Sequence, residues 1–309
     1  MRREGDCLKR TRPLDQKDVD ILGALDILGG KSSTEELSQK TGYPARTVRY
    51  RLQTMRDAAI LYPARTFTHE RKLGLGENIL IIHTTPGSRP ILEKLFQKID
   101  SIYYWTSTYG RYNGFIINVL YSLTTPNVSR RLLEAFQKEG LISDSYMFDI
   151  TDYEHKHGDF SYLDPKHGWQ YDWCEWHKKI TKNLKSKTNK INTKCDENPS
   201  ILDFDANDYG LLRSLFDDAM VPQKDLAKQF SLSETQVTKK IRRLESAGVI
   251  KGYGSNFSAM SANVGFNLYI EIEEPVARIM NNFYTHPYLG SIMMESRTRW
   301  GIRMGLPAP

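Results

Sequence analysis

Two stretches of this chain carry cations at helical spacing beside an apolar stripe. In residues 44–58, Arg46, Thr47, Arg49, Tyr50, Arg51 and Gln53 surround Val48, Leu52 and Met55, which fall at i, i+4 and i+7. In residues 233–247, Thr235, Gln236, Lys239, Lys240, Arg242 and Arg243 surround Val237, Ile241 and Leu244 at the same spacing. On a helical wheel with Val48 at zero, Arg46, Tyr50 and Gln53 lie opposite the stripe, and Thr235, Lys239 and Arg242 take the matching places. Each stretch buries one face and shows a polar, cationic one. Cations meet phosphate, and side chains such as Arg, Lys, Gln and Thr near a helix N-terminus read base edges in the major groove. The chemistry expected is duplex DNA binding. Arg46, Thr47, Tyr50, Thr235, Gln236 and Lys239 are expected at base edges, and Arg49, Arg51, Lys240, Arg242 and Arg243 at phosphates.

The elements that must position these helices also occur twice. "LDQKDVDILGAL" (14–25) and "FDANDYGLLRSL" (204–215) both read as a first helix with Asp15 or Asp205 as cap. Short second helices follow, "STEELSQKT" (33–41) with a Ser33/Glu36 capping-box pattern, and "VPQKDLAKQF" (221–230). A tight turn, Gly42-Tyr43 or Ser231-Leu232, leads into each basic helix. Ser233 and Gln236 form a further capping box, Pro44 suits a helix start, and Gly248 ends the downstream helix where Ala59 stands upstream. Three helices with a short turn before the last make a helix-turn-helix. "ILYPARTF" and "VIKGYGSNF" read as strands that would form a small wing on each.

The chain has 309 residues, enough for two or three domains, and a net charge of +6. That charge is unevenly placed: residues 1–12 carry +3, 44–58 carry +3, 233–247 carry +2 and 178–194 carry +7, so the rest is acidic. Positive charge thus gathers where a phosphate footprint needs it. The polar N-terminus lacks the form of a signal peptide, no apolar run approaches a membrane span, and three scattered cysteines make no disulfide framework. A cytoplasmic protein is expected.

Between the helical units, strands, helices and turns over 75–151 follow the order βαββαβ, the ferredoxin-like pattern. The fold class expected is α+β, with winged helix-turn-helix domains at 1–66 and 201–257 and ferredoxin-like domains at 75–151 and, in part, 264–309. The second of these stops within its third strand, as in a truncated chain. Residues 152–200 are an aromatic insertion followed by a lysine-rich linker. Trp169, Tyr171, Trp173 and Trp176 are expected to dock it on the first ferredoxin-like domain, and His155, His157, His167, Cys174 and His177 to pack rather than bind metal.

The segment "LSETQVTKKIRRLESAGVIKGY" (232–253), together with "LGLG" (73–76) and the βαββαβ order behind the first basic helix, resembles the Lrp/AsnC (feast/famine) transcriptional regulators. The upstream helix is the looser match. The resemblance implies an internal tandem repeat of that two-domain architecture. It also implies sequence-specific DNA binding, self-association through the ferredoxin-like sheets within one chain or between chains, and in some members a small-molecule amino-acid effector. Members that bind amino acids carry Gly-x-x-Asp between the second and third strands; here Gly110 is followed by Asn113, a neutral amide with no charge for an ammonium group. The same architecture occurs in sirohaem decarboxylases, an enzymatic alternative for which His69, Arg71 and His83 are the suggestive residues. An RNA-binding or scaffolding winged helix is a third. No nucleotide-binding loop, nucleophile elbow or paired-carboxylate constellation is present, and no cofactor is expected.

Overall fold

The computed structural model describes residues 13–185, 201–257, 263–273, 280–288 and 290–307. The basic N-terminal segment and most of the lysine-rich linker lie outside these residues.

The first helical unit is α1 (Gln16–Leu28), α2 (Thr34–Thr41) and α3 (Ala45–Asp57). Asp15 and Asp18 close a reciprocal capping box on α1, and Ser33 and Glu36 do so on α2. Gly42 then turns left-handed, at φ 74°, to bring α3 across. Val48, Leu52 and Met55 meet Val19, Leu22, Leu25 and Leu37 in one core. Past residues 75–185, described next, α7 (Ala206–Asp217), α8 (Gln223–Phe230) and α9 (Glu234–Ser246) follow the same order. Val237, Ile241 and Leu244 pack there on Leu211, Leu212, Leu215 and Leu226. Deletion of one such buried leucine costs a few kcal/mol, about 2–5, so the stripe is fixed while the outer face is free to differ.

The wings differ from expectation. β1 (Leu61–Thr68) and β9 (Ile250–Phe257) do not fold as separate wings. They pair with each other, antiparallel from Leu61↔Phe257 to Thr68↔Ile250, in a two-stranded ribbon joining the helical units. Each unit supplies one strand, and a lone strand must find partners for its backbone groups outside its own unit.

β2 (Leu75–Thr84), α4 (Arg89–Phe96), β3 (Ile102–Thr108), β4 (Gly114–Ser122), α5 (Val128–Lys138) and β5 (Ile142–Ile150) build a sheet of order β3-β4-β2-β5. The apolar run in β2 is buried on both faces. Leu80 and Ile82 pack with Leu92, Phe96, Leu133 and Phe136 of the two helices. Ile79 and Ile81, one residue out of phase, join Ile116, Phe148 and Ile150 on the other face.

That second face is covered by another sheet. β10 (Asn263–Glu271), α10 (Met280–Thr285), β11 (Gly290–Met294) and β12 (Arg299–Pro307) form it with β6 (Asp152–Lys156), in the order β10-β12-β11-β6. Met293 and Tyr269 enter the interlayer core, where Tyr269 lies 5.1 Å from Phe148 and 5.5 Å from Tyr146, centroid to centroid. The Thr151 N–H donates to the Met294 carbonyl at 2.7 Å, and the Asp149 N–H to Glu295 at 2.9 Å.

The aromatic insertion does not dock on the first sheet's domain. Its opening residues are strand β6, the edge of the second sheet. Phe160, Leu163 and Trp169, around the short pair β7 (Leu163–Asp164) and β8 (Gly168–Trp169), enter the core of the first helical unit. α6 (Trp173–Lys185) lays Trp176 on Phe283, and its indole N–H donates to the Asn282 carbonyl at 3.0 Å. Helices α4 and α5 and the second sheet already cover both faces of the first sheet, so these aromatics fill the sides left open.

Candidate nucleic-acid interface

α3 and α9 each stand third in their unit, and their outer faces carry the residues singled out by sequence. Arg46, Arg49, Tyr50 and Gln53 are exposed on α3, Tyr50 by 67%, while Thr47 is half-buried. Arg49 reaches Glu35 at 3.5 Å, a solvent-exposed pair of little energetic weight. The Gln53 amide donates to Asp57 at 2.8 Å. On α9, Thr235, Gln236, Lys239, Arg242 and Arg243 are exposed. The Gln236 carbonyl oxygen accepts the Ser233 N–H at 2.8 Å, so this side chain is committed to the cap.

Arg51 and Lys240 sit differently from the rest. The Arg51 guanidinium lies 2.6 Å from Asp15 and 3.4 Å from Asp18; its side chain is 23% exposed and that of Asp18 is not exposed at all. Lys240 occupies the same place in the other unit, 2.5 Å from Asp205 and 3.0 Å from the fully buried Asp208. Arg243 is shared, 3.2 Å from Asp208 yet 43% exposed. Burial is the largest influence on Arg51 and lowers its pKa, but its hydrogen bond to Asp15 and the charges of both carboxylates turn the net shift upward. Lys240 is raised, first by its hydrogen bond to Asp205. The phosphate role expected for Arg51 and Lys240 thus competes with a latch between first and third helices. Helical periodicity cannot show this, because the aspartates lie at the start of another helix more than thirty residues away.

Asp26, in the last turn of α1, is 2% exposed and lies 3.7 Å from His155 Nε2 and 3.4 Å from His157 Nδ1. It also accepts the Gly158 N–H at 3.0 Å. Burial would raise this carboxyl, but the two imidazoles outweigh it and hold it at about 2. His157 is raised in turn, chiefly by its hydrogen bond to Asp26. These histidines anchor β6 to α1, and no cluster of metal-ligating side chains is found among the described residues.

Gly110 and Asn113 lie in the turn between β3 and β4, Gly110 at φ 113°. The Arg89 guanidinium approaches the Asn113 side-chain oxygen Oδ1 at 3.4 Å and donates to the Gly114 carbonyl at 3.1 Å. The residues suggestive of a tetrapyrrole site are not gathered. Arg71 is 9% exposed and bound to Asp149 at 2.6 Å, while His83 lies at the far end of β2 from it.

Residues 204–251 match the winged helix-turn-helix DNA-binding family. A stretch of 67 residues is 34% identical to the leucine-responsive regulatory protein of Rhizobium meliloti (strain 1021), covering 22% of this chain and 42% of that protein. The proline dehydrogenase transcriptional activator of Rhodobacter capsulatus is 34% identical over 68 residues, 22% of this chain and 44% of that one. The chain spans less than half the length of either relative. Among solved structures, the siroheme decarboxylase NirDL in complex with an iron-uroporphyrin III analogue is similar over 94% of this chain and 81% of its own, at 10% identity and a TM-score of 0.51. That likeness is one of fold. E. coli AsnC is similar over 46% of this chain and 95% of its own, at 22% identity and a TM-score of 0.36. The protein is an α+β chain with a winged helix-turn-helix, and the Lrp/AsnC resemblance of its sequence is upheld. Among the described residues, no helix is long and apolar enough to cross a membrane.

Proposed function

We propose that this chain is a sequence-specific, DNA-binding transcriptional regulator of the Lrp/AsnC type and not an enzyme. Its two helical units act as tandem half-sites readers joined in one chain. The observation that carries this reading is the pair α3 and α9. Both hold the same buried stripe and the same aspartate latch, and both turn a face rich in unburied cations and amides to solvent. The β1–β9 ribbon and the face-to-face sheets support a pseudo-dimer formed within one chain. Arg46 and Tyr50 would read one half of the site, and Thr235 and Lys239 the other. Arg49, Arg242 and Arg243 would meet phosphates. Because the two faces differ, the site is asymmetric, unlike the palindrome that identical subunits require.

Footprinting on DNA selected from a random duplex pool tests this. Neutralising Arg46 and Arg49 should remove protection over one half, and neutralising Lys239 and Arg242 over the other. Arg49→Ala alone should lower the slope of log affinity against log salt by about one unit on every sequence. Equal protection of a palindrome in both variants would sink the tandem reading. No binding at any salt concentration would sink the regulator reading. The Arg89 contact at Asn113 supports a protein that gives no calorimetric response to free amino acids at that turn.

A further inference from the structure

A cavity of about 770 Å³ lies where both helical units and both sheets meet. β1 and α7 contribute Phe67, Leu212 and Phe216, β4 gives Leu120, and β11 gives Met293, so most of its wall is apolar. Into this wall are set two carboxylates, Glu70 from the turn after β1 and Glu77 from β2. Glu77 is 8% exposed and accepts from the Tyr103 hydroxyl and, at 2.7 Å, from the Asn118 amide. Glu70 accepts the Thr68 hydroxyl at 2.8 Å.

Neither carboxylate makes an ion pair among the described residues. The nearby Lys251 is taken by Asp152 at 2.5 Å, and Arg303 donates to Asn267 at 3.1 Å. Arg65 and Arg213 stand exposed at the rim. Burial, with the charge of Glu77 adding to it, pushes the Glu70 carboxyl up to about 7 against the pull of the Thr68 hydroxyl and the Lys251 ammonium. A separate observation points the same way. Asn118 lines the cavity, is 3% exposed, and its Oδ1 has no hydrogen-bond partner among the described residues. A buried acceptor left bare is unfavourable, and a donor brought against it would relieve that cost.

We propose that this cavity binds an organic ammonium ion carried on an apolar body, its N–H groups donating to Glu70, Glu77 and Asn118 Oδ1. An ammonium has three donors and no acceptor, matching three acceptors in a cluster. Phe67, Tyr103 and Tyr153 supply aromatic surface of the kind that attracts cations. The volume is that of a pocket for a small organic molecule rather than for a bare metal ion. The site is separate from the turn holding Asn113, and its occupancy does not depend on whether α3 and α9 bind DNA.

The test is calorimetry on the full chain without DNA, with phenethylamine and 3-phenylpropionate as probes of similar size and opposite charge. The amine should bind and the carboxylate should not. Glu70→Gln, which keeps the shape and leaves the more buried Glu77 network intact, should weaken the amine about tenfold or more. Equal binding of both probes, unchanged amine affinity in a folded Glu70→Gln protein, or no amine binding up to about 10 mM would each overturn the proposal.

Discussion

The two helical units share a core and differ at its edges. In both, an aspartate cap on the first helix and a fully buried aspartate three residues on hold a cation of the third helix: Asp15, Asp18 and Arg51 in one, Asp205, Asp208 and Lys240 in the other. In both, the third helix ends with a backbone bond between residues five positions apart, Ile60 N–H to Met55 carbonyl and Val249 N–H to Leu244 carbonyl, each 2.9 Å. The residue that makes this turn must be left-handed. It is Gly248, at φ 66°, in one unit and Ala59, at φ 52°, in the other. The outer faces diverge further: Tyr50 stands where the other unit has Lys239, and Gln53 where it has Arg242. What holds each unit together is kept, and what each shows to solvent is not.

The sharpest way to break this comparison is to cut the latch. Arg51→Ala removes a cation from the buried Asp18, and Lys240→Ala combined with Arg243→Ala removes both cations from the buried Asp208, so each variant should cost about 2–3 kcal/mol of its own unit's stability in denaturant unfolding. Near-equal losses would support a shared architecture. A loss in only one unit would show that the likeness is superficial.

Next in size is a difference between the units. Asp26 of α1 has Phe216, 52% exposed, at its counterpart in α7, so only the first unit is tied to His155 and His157. The Asp26 carboxyl is held at about 2 against an ordinary 3.8, so its contribution is present above pH 4 and lost as pH falls towards 2. This amounts to about 2 kcal/mol. His157 is raised above its ordinary 6.5, so its share is present below that pH and lost as pH rises through the shifted value. Asp26→Asn should therefore flatten both limbs of the first unit's stability against pH, followed by hydrogen exchange in α1. Unchanged limbs would remove the histidines from the account.

The smallest effect concerns the left-handed turn. Ala59→Gly should stabilise the first unit by about 0.5 kcal/mol, since relief of backbone strain is partly offset by the entropy glycine brings to the unfolded chain. Gly248→Ala should cost about 1 kcal/mol, because a Cβ there also meets the Lys72 ammonium at 3.0 Å. Thermal unfolding midpoints of the two variants, moving in opposite directions, would check the pair.

Local signals were legible in the sequence because they act over three or four residues. The cap at Asp15 and the capping boxes at Ser33 and Ser233 need nothing beyond their own turns. The stripes Val48-Leu52-Met55 and Val237-Ile241-Leu244 are buried as their period requires. What was missed depends on distant partners. A helical wheel places Arg51 on a flank but cannot show Asp15 and Asp18 arriving beside it. A strand pattern in "ILYPARTF" says nothing of which strand it will pair with. The aromatic segment after residue 152 was visible as apolar, but its seat was set by which faces the other elements had already covered.

The β1–β9 ribbon carries a consequence for how the chain is made. Its paired residues lie about 180–200 positions apart, so the first strand leaves the ribosome long before its mate exists. At about 5–20 residues per second, that interval lasts roughly 10–40 seconds. Throughout it, β1 offers the bare backbone edge that invites pairing with a neighbouring nascent chain. Arg65 within β1, and Arg71 and Lys72 just beyond it, place charge along and beside that edge. The same ribbon that ties the finished molecule together is thus, for a time during synthesis, the place where two copies are most apt to exchange strands.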